Sequence, residues 1–134
     1  MCSLQRRLKE WAGSHGREVR SATIRTLIDT GAFVGSTGTD ASILRKMDLP
    51  PVGAASLATP SGSAETDVYM VRFIIPSRKS EGFFPSLPRI VVDNVRVVAV
   101  KIENQPYRGL LGRDVLSGMV MVYNGPHALI TLGY

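Results

Sequence analysis

The side chain of this sequence best placed to do chemistry is the carboxylate of Asp29. It follows the strand-forming segment 24–28 and opens the turn Asp29-Thr30-Gly31. A carboxylate that a strand delivers into a glycine-containing turn can act as a general acid or base. Because Asp, Thr and Gly are common turn residues, further segments are needed to support this interpretation.

Two further segments stand downstream. Residues 110–116 place two leucines and Gly112 ahead of the polar pair Arg113-Asp114, which opens a short predicted helix. Residues 58–64 are small and turn-forming, and they precede a predicted strand at residues 66–75.

Taken in order, the three segments resemble the retropepsin-like aspartic proteases. That family combines a strand ending in Asp-Thr-Gly-Ala, a flap hairpin with glycine at its tip, and a late apolar-apolar-Gly-Arg-Asp or Asn segment running into a helix. The resemblance covers residues 18–134, with Ala32 completing the first motif. It implies an all-β fold: a closed β-barrel of the acid-protease type with a flap hairpin and one short C-terminal helix.

The resemblance makes Asp29 the catalytic residue and gives its neighbours supporting roles. The Thr30 hydroxyl would reach the matching loop of a partner chain, and the Gly31 carbonyl would face a peptide substrate. The alternatives are a strand-end hydroxyl and a glycine that merely completes a turn. The remaining supports of the catalytic loop are Ala32, Gly112, Arg113 and Asp114. Gly112 would pack beneath the loop, and the polar pair would tie the helix start to neighbouring backbone.

Peptide hydrolysis by this chemistry needs two carboxylates, one ionised to activate water and one protonated to polarise the carbonyl. The sequence contains no second Asp-Thr-Gly or Asp-Ser-Gly. The resemblance therefore implies a homodimer in which Asp29 meets its copy across a two-fold axis, without a cofactor. Two such carboxyl groups share one proton, so a bell-shaped pH profile is expected.

Residues Ser61, Gly62 and Ser63 would form the flap tip, which closes over an extended polypeptide substrate and excludes water. An ordinary hairpin turn is the alternative. One position departs from the family pattern: Phe33 stands where many relatives carry Ser or Asp. The bulky ring there puts substrate preference and robust activity in doubt.

Other chemistries find little support in the sequence. His15 and His127 lie far apart without a Cys or carboxylate at metal-ligand spacing, so no metal site is predicted. Motifs that activate a Ser or Cys nucleophile are missing too. The sixteen Lys and Arg residues give a net charge of +5 but do not interleave with aromatic residues, so nucleic-acid binding is not expected.

The 134 residues are enough for one domain with a single core. Residues 1–17 read as a leader, either a short basic amphipathic helix or disordered, and residues 18–134 as the protease-like domain. The single cysteine, Cys2, fits a reducing compartment, and no run approaches the roughly 18 apolar residues of a membrane span. A cytoplasmic protein is the expectation.

The remaining elements are predicted from local patterns. Strands are expected at residues 68–75 and 90–102, and a hairpin at residues 119–132 around Asn124-Gly125-Pro126. Asp40 is a candidate N-cap for a helix at residues 41–47. Residues 34–39 read as a flexible, glycine-rich stretch, and residues 76–88 as a surface loop.

Two functional hypotheses from different classes remain. The first is a dimeric aspartic endopeptidase with Asp29 of each chain as acid and base. The second is a non-catalytic peptide-binding or dimerisation module on the same fold, because a fold does not guarantee chemistry.

Overall fold

A computed structural model describes residues 20–31, 37–59, 62–76 and 90–133. Six strands form one sheet in the order β1-β6-β2-β5-β4-β3: β1 (Thr26–Ile28), β2 (Gly38–Asp40), β3 (Gly53–Thr59), β4 (Gly62–Ile75), β5 (Ile90–Val100) and β6 (Gly109–Leu111). A separate hairpin consists of β7 (Val120–Asn124) and β8 (Leu129–Gly133), joined through the 3-10 turn Gly125–His127. The described residues also contain two α-helices, α1 (Ala41–Lys46) and α2 (Arg113–Leu116).

The sheet mixes parallel and antiparallel pairs. β1 runs parallel to β6 and β2 parallel to β5, whereas β2 and β6 are antiparallel. β3, β4 and β5 form an antiparallel meander. Because Ile28 is in register with Leu111, the chain leaves β1 at Asp29 beside the point where it leaves β6 at Gly112.

The core forms where one face of this sheet meets both helices. Val95 and Val97 are buried and Arg96 between them is exposed, which is the alternation expected of a half-buried strand. Leu44 from α1 and Val115 from α2 join the same cluster, with Tyr69, Val95, Val97 and Leu111. The core therefore anchors α2, and with it the segment that follows β6.

The mostly β character predicted from the sequence is confirmed, and the sheet is curled into a half-barrel. Closure into a full barrel is not seen among the described strands, since β1 and β3 lie at opposite ends of the strand order. The helix predicted after Asp40 is present and ends one residue early, at Lys46. A β-hairpin is also present where the sequence predicted one, around Gly125–His127.

The prediction of a flexible stretch at residues 34–39 is wrong for its described part. Thr37 and all three residues of β2 are buried, because β2 lies between β5 and β6 and pairs with both. The small side chains that suggested flexibility are needed for close packing, since a Cβ on Gly38 would come within 3.2 Å of the Val100 methyl groups. The leader, Phe33 and most of the predicted loop at residues 76–88 lie outside the described residues.

Within the described residues, no helix is long and apolar enough to cross a membrane.

Candidate active site

Asp29 lies at the first position after β1 and is half-buried. Its backbone N–H donates to the carbonyl oxygen of Leu111 at 3.0 Å, which extends the parallel ladder by one bond beyond the strand. This bond fixes the main chain from which the carboxylate projects. The position of Asp29 is thus set by β6, a strand more than one half of the chain away in sequence.

The turn after Asp29 is organised by the carboxylate itself. The Gly31 N–H donates to Asp29 Oδ1 at 3.1 Å. A Cβ on Gly31 would lie 3.3 Å from that same oxygen, which is tighter than most real contacts. Thr30 and Gly31 are both exposed, so the turn is open to solvent or to a partner. Within the described residues, the bond from the Gly31 N–H to Oδ1 is the one side-chain hydrogen bond of Asp29.

Gly112 packs closely against Thr37, directly before β2, and against Asp114. Its N–H donates to Thr37 Oγ1 at 2.9 Å. A Cβ at position 112 would lie 2.9 Å from both the backbone nitrogen of Thr37 and Asp114 Oδ1. Since the first of these atoms belongs to the main chain and cannot swing away, only glycine fits without movement of the strand.

Asp114 links α2 to the same threonine. Its Oδ1 accepts a hydrogen bond from the Thr37 hydroxyl and another, at 2.9 Å, from the Val115 N–H. The Val115 N–H also donates to the Gly112 carbonyl oxygen at 3.2 Å, so this donor is shared by two acceptors at the start of the helix. Thr37 has no exposed surface. Its hydroxyl makes two hydrogen bonds: it accepts one from the Gly112 N–H and donates one to the Asp114 carboxylate. The hydroxyl therefore joins the end of β6, the start of α2 and the start of β2.

Thr37 is the supporting residue that sequence reasoning missed. Because glycine, serine and threonine surround it, the sequence predicts a flexible stretch at this position. A local signal was present: two β-branched residues at alternate positions, Thr37 and Thr39, also fit a short buried strand. Only the pairing of β2 with β5 and β6 decides between the two readings.

A second carboxylate, Asp40, ends β2 and is only 6% exposed. Its Oδ1 accepts from the Ser42 N–H at 2.8 Å and the Ser42 hydroxyl at 2.5 Å, which makes it the N-cap of α1. Its Oδ2 lies 3.3 Å from the Ile102 nitrogen and 3.4 Å from Arg108 Nη1. The hydrogen bond from the Ser42 hydroxyl, aided by these other donors, lowers the pKa of Asp40 although burial opposes this.

The predicted flap is a hairpin of β3 and β4, with Thr59 in register with Gly62. Ser61 lies outside the described residues, whereas Gly62 and Ser63 are exposed. The backbone of Gly62 has a φ of 126°, which L-residues rarely adopt, so glycine suits this end of the turn. In the strand order this hairpin and β1 stand at opposite ends of the sheet, so only the curl of the sheet can bring the flap towards Asp29.

The structure thus brings Asp29 beside Gly112, which is distant in sequence. Arg113 is exposed on the first turn of α2, and Ala32 lies outside the described residues. No hydrogen bond joins Asp29 to a second carboxyl group anywhere in the described chain. Groups of three or more His, Cys, Asp or Glu side chains that could hold a metal ion are likewise not found in this part.

Comparison of the chain with protein-family models, with curated proteins and with solved structures gave no match.

Proposed function

We propose that this protein is an aspartic endopeptidase that acts as a homodimer. The observation that carries the proposal is the position of Asp29 directly after β1, hydrogen-bonded through its backbone to Leu111 and beside Gly112. Two of the three segments that carry the resemblance to retropepsin-like proteases, the first and the last in the chain, are therefore neighbours in space. A chance pair of short motifs has no reason to meet in this way.

The chemistry proposed for the site starts from the carboxylate that the fold leaves accessible. In a dimer, Asp29 of one protomer and Asp29 of its partner would share one proton, because two like charges at hydrogen-bond distance do not both ionise. The ionised carboxylate takes a proton from the attacking water, and the protonated one donates to the carbonyl oxygen of the scissile peptide. Collapse of the tetrahedral intermediate then releases the amine as it accepts a proton.

The substrate class follows from the edges of the sheet. β3 is an edge strand of the described sheet, and the β3–β4 hairpin would lie along a polypeptide in extended conformation. Main-chain hydrogen bonds would provide binding, and alternate side chains would enter pockets. We propose an apolar preference with otherwise broad specificity.

The deciding experiment is cleavage of a mixed peptide library by the wild type and by Asp29→Asn, read by mass spectrometry from about pH 3 to about pH 8 to span plausible titrations of the dyad. Asparagine keeps the shape of the side chain but cannot share the proton. We expect cleavage between apolar residues by the wild type alone, with a bell-shaped dependence on pH. Equal cleavage by both proteins would point to a contaminating protease.

The second candidate is a peptide-binding module without catalysis. The feature that favours it is the open edge at β3, which can accept an added strand without help from any carboxylate. If neither protein cleaves although both are dimeric, and both bind library peptides equally, this candidate replaces the first.

A further inference from the structure

The β3–β4 hairpin leaves the rest of the sheet at Val68. From Val68 onwards β4 is in register with β5, whereas residues 62–67 are in register with β3 alone within the described chain. Burial changes at the same point, since Val68 is 1% exposed but Glu65 and Asp67 are exposed. The outer hairpin, residues 54–59 and 62–67, therefore projects from the sheet as a pair of strands.

An open groove of about 510 Å³ lies between the outer hairpin and α1. Ala54, Glu65 and Asp67 line it from the hairpin, and Ala41 and Arg45 line it from the helix. The alanine side chains are too short to bridge the groove, so packing against α1 contributes little on this face. Two strands without such packing are marginal in water. Another contact is needed to hold the outer hairpin at a fixed angle.

Thr66 supplies a contact of this kind. Its hydroxyl donates to the carbonyl oxygen of Ala99 at 2.6 Å, a normal length for a hydroxyl donor. Thr66 lies two residues before Val68, the first residue of β4 in the β4–β5 ladder, so the bond continues the attachment where the backbone ladder has ended. Thr66 is half-buried, which limits competition from water for this bond.

Ala99 belongs to the same part of the sheet as the support of the Asp29 loop. It is in register with Thr39 of β2, and β2 begins directly after Thr37, whose hydroxyl accepts from the Gly112 N–H. The Thr66 bond therefore fixes the outer hairpin to the strand pair β2–β5, which also supports the segment beside Asp29.

We propose that Thr66 is a positioning residue whose hydroxyl holds the outer hairpin at the angle at which β3 and β4 bind an extended polypeptide beside Asp29. This assignment rests on the proposed function for the substrate and the reaction. The claim that one hydroxyl sets the angle of the hairpin can be tested without either. Thr66 would act through the hairpin and not on the scissile bond.

The test compares Thr66→Val, which keeps the branched shape and removes the hydroxyl, with Thr66→Ser, which keeps the hydroxyl. Hydrogen exchange of the full chain is followed for the outer hairpin and for residues 68–75, whose ladder with β5 makes them an internal reference. We expect the outer hairpin to exchange about 3-fold to 10-fold faster in Thr66→Val, the effect of one hydrogen bond, and at the wild-type rate in Thr66→Ser. Residues 68–75 should be unchanged in both variants.

Peptide cleavage tests whether the angle matters for the reaction. A hairpin that spends less time in the binding orientation lowers the apparent affinity for substrate, whereas Asp29 and its support are unaltered. We expect Thr66→Val to raise KM about 3-fold to 10-fold with kcat within about 2-fold of the wild type, and Thr66→Ser to keep wild-type values. A merely destabilised protein would lose active enzyme instead, which lowers kcat and leaves KM unchanged.

Three results would overturn parts of this assignment. Wild-type exchange in the outer hairpin of Thr66→Val, or equally fast exchange in both variants, would overturn the role of the hydroxyl. Faster exchange with an unchanged KM would overturn the link to substrate binding.

The proposed function can fail separately. If the wild type cleaves no peptide, the protease proposal fails, and the exchange rates still decide whether the Thr66 hydroxyl holds the hairpin. Faster exchange in Thr66→Val alone would then support that role.

Discussion

Asp29 and Asp40 occupy comparable positions but are used by the fold in opposite ways. Each ends a short strand that pairs with β6, Asp29 after β1 and Asp40 at the end of β2. Asp40 is buried and has donors on both carboxylate oxygens, whereas Asp29 is half-buried and receives one hydrogen bond, from Gly31, within the described chain. Within the described chain, both carboxylate oxygens of Asp40 therefore hold the fold together, whereas Asp29 uses only Oδ1, in its own turn.

A similar contrast in burial is found around Asp29 itself, between the segments that support its loop and the turn that follows it. Beside the Asp29 loop, the Thr37 hydroxyl, the Gly112 N–H and the Asp114 carboxylate form a hydrogen-bonded network in which Thr37 and Gly112 are buried and Asp114 is half-buried. In the turn itself, Thr30 and Gly31 are exposed. A rigid support beneath an open loop is the arrangement expected where a reactive group must be held in place and still reach its substrate.

The largest effects should come from exchanging each carboxylate for an amide. Asp29→Asn should reduce cleavage by about 10³-fold or more, because acid–base catalysis is lost, with unfolding free energy changed by less than about 0.5 kcal/mol. Asp40→Asn should retain cleavage but lose about 1–3 kcal/mol of stability. Asparagine can still cap α1, so the loss should arise where its NH2 group faces the Ile102 N–H and Arg108.

Peptide cleavage assays and urea denaturation of both variants measure these outcomes. A large loss of stability in Asp29→Asn, or loss of cleavage by fully folded Asp40→Asn, would reverse the assignment of roles to the two residues.

Alanine substitutions at Gly112 and Gly31 should distinguish the role of the packed segment after β6 from that of the Asp29 turn. Gly112→Ala should destabilise the protein by about 1–3 kcal/mol, because its Cβ meets the backbone nitrogen of Thr37 at 2.9 Å. Gly31→Ala should cost less stability, since its Cβ approaches only the Asp29 carboxylate, but should lower cleavage more. Thermal unfolding measures the predicted loss of stability, and kcat/KM measures the predicted loss of cleavage. Equal stability of the two variants would argue against close packing at Gly112.

Removal of the Thr37 hydroxyl should have a smaller effect. Thr37→Val keeps the side-chain volume but leaves the buried Gly112 N–H without its acceptor and Asp114 without one donor. We expect a loss of about 1–2 kcal/mol. Thr39→Val is the matched control, because Thr39 is also buried in this segment but lies outside the network. Similar losses in the two variants, measured by denaturant unfolding, would show that the network adds nothing beyond packing.

The smallest expected effect is a dependence of stability on pH through Asp40. Its folded-state pKa lies below the ordinary value of 3.8, so its carboxylate stabilises the fold above that value. This contribution is lost as the pH falls through the lowered folded-state pKa. The difference in unfolding free energy between wild type and Asp40→Asn should therefore shrink between about pH 5 and about pH 2. A difference independent of pH in that range would mean that the charge of Asp40 contributes nothing.

Much of the local structure was predictable because it depends on neighbours in sequence. The N-cap at Asp40 and the hairpin around Gly125–His127 follow from capping and turn preferences. The long strands β4 and β5 follow from their Val, Ile, Tyr and Phe content. β2 was not predictable in this way, since three residues carry too little pattern, and its burial results from pairing with β5 and β6.

The sequence by itself determined which groups are available: one Asp-Thr-Gly turn, a Gly-Arg-Asp segment far downstream, and an uncharged apolar ending at residues 128–133. Residue types and short-range preferences are local properties, so they can be read without a fold. The tertiary structure decided how these groups meet. The parallel pairing of β1 with β6 brings Asp29 beside Gly112, and the insertion of β2 aims the Thr37 hydroxyl between Gly112 and Asp114. Those contacts depend on strand order and register, which arise only when the whole sheet assembles.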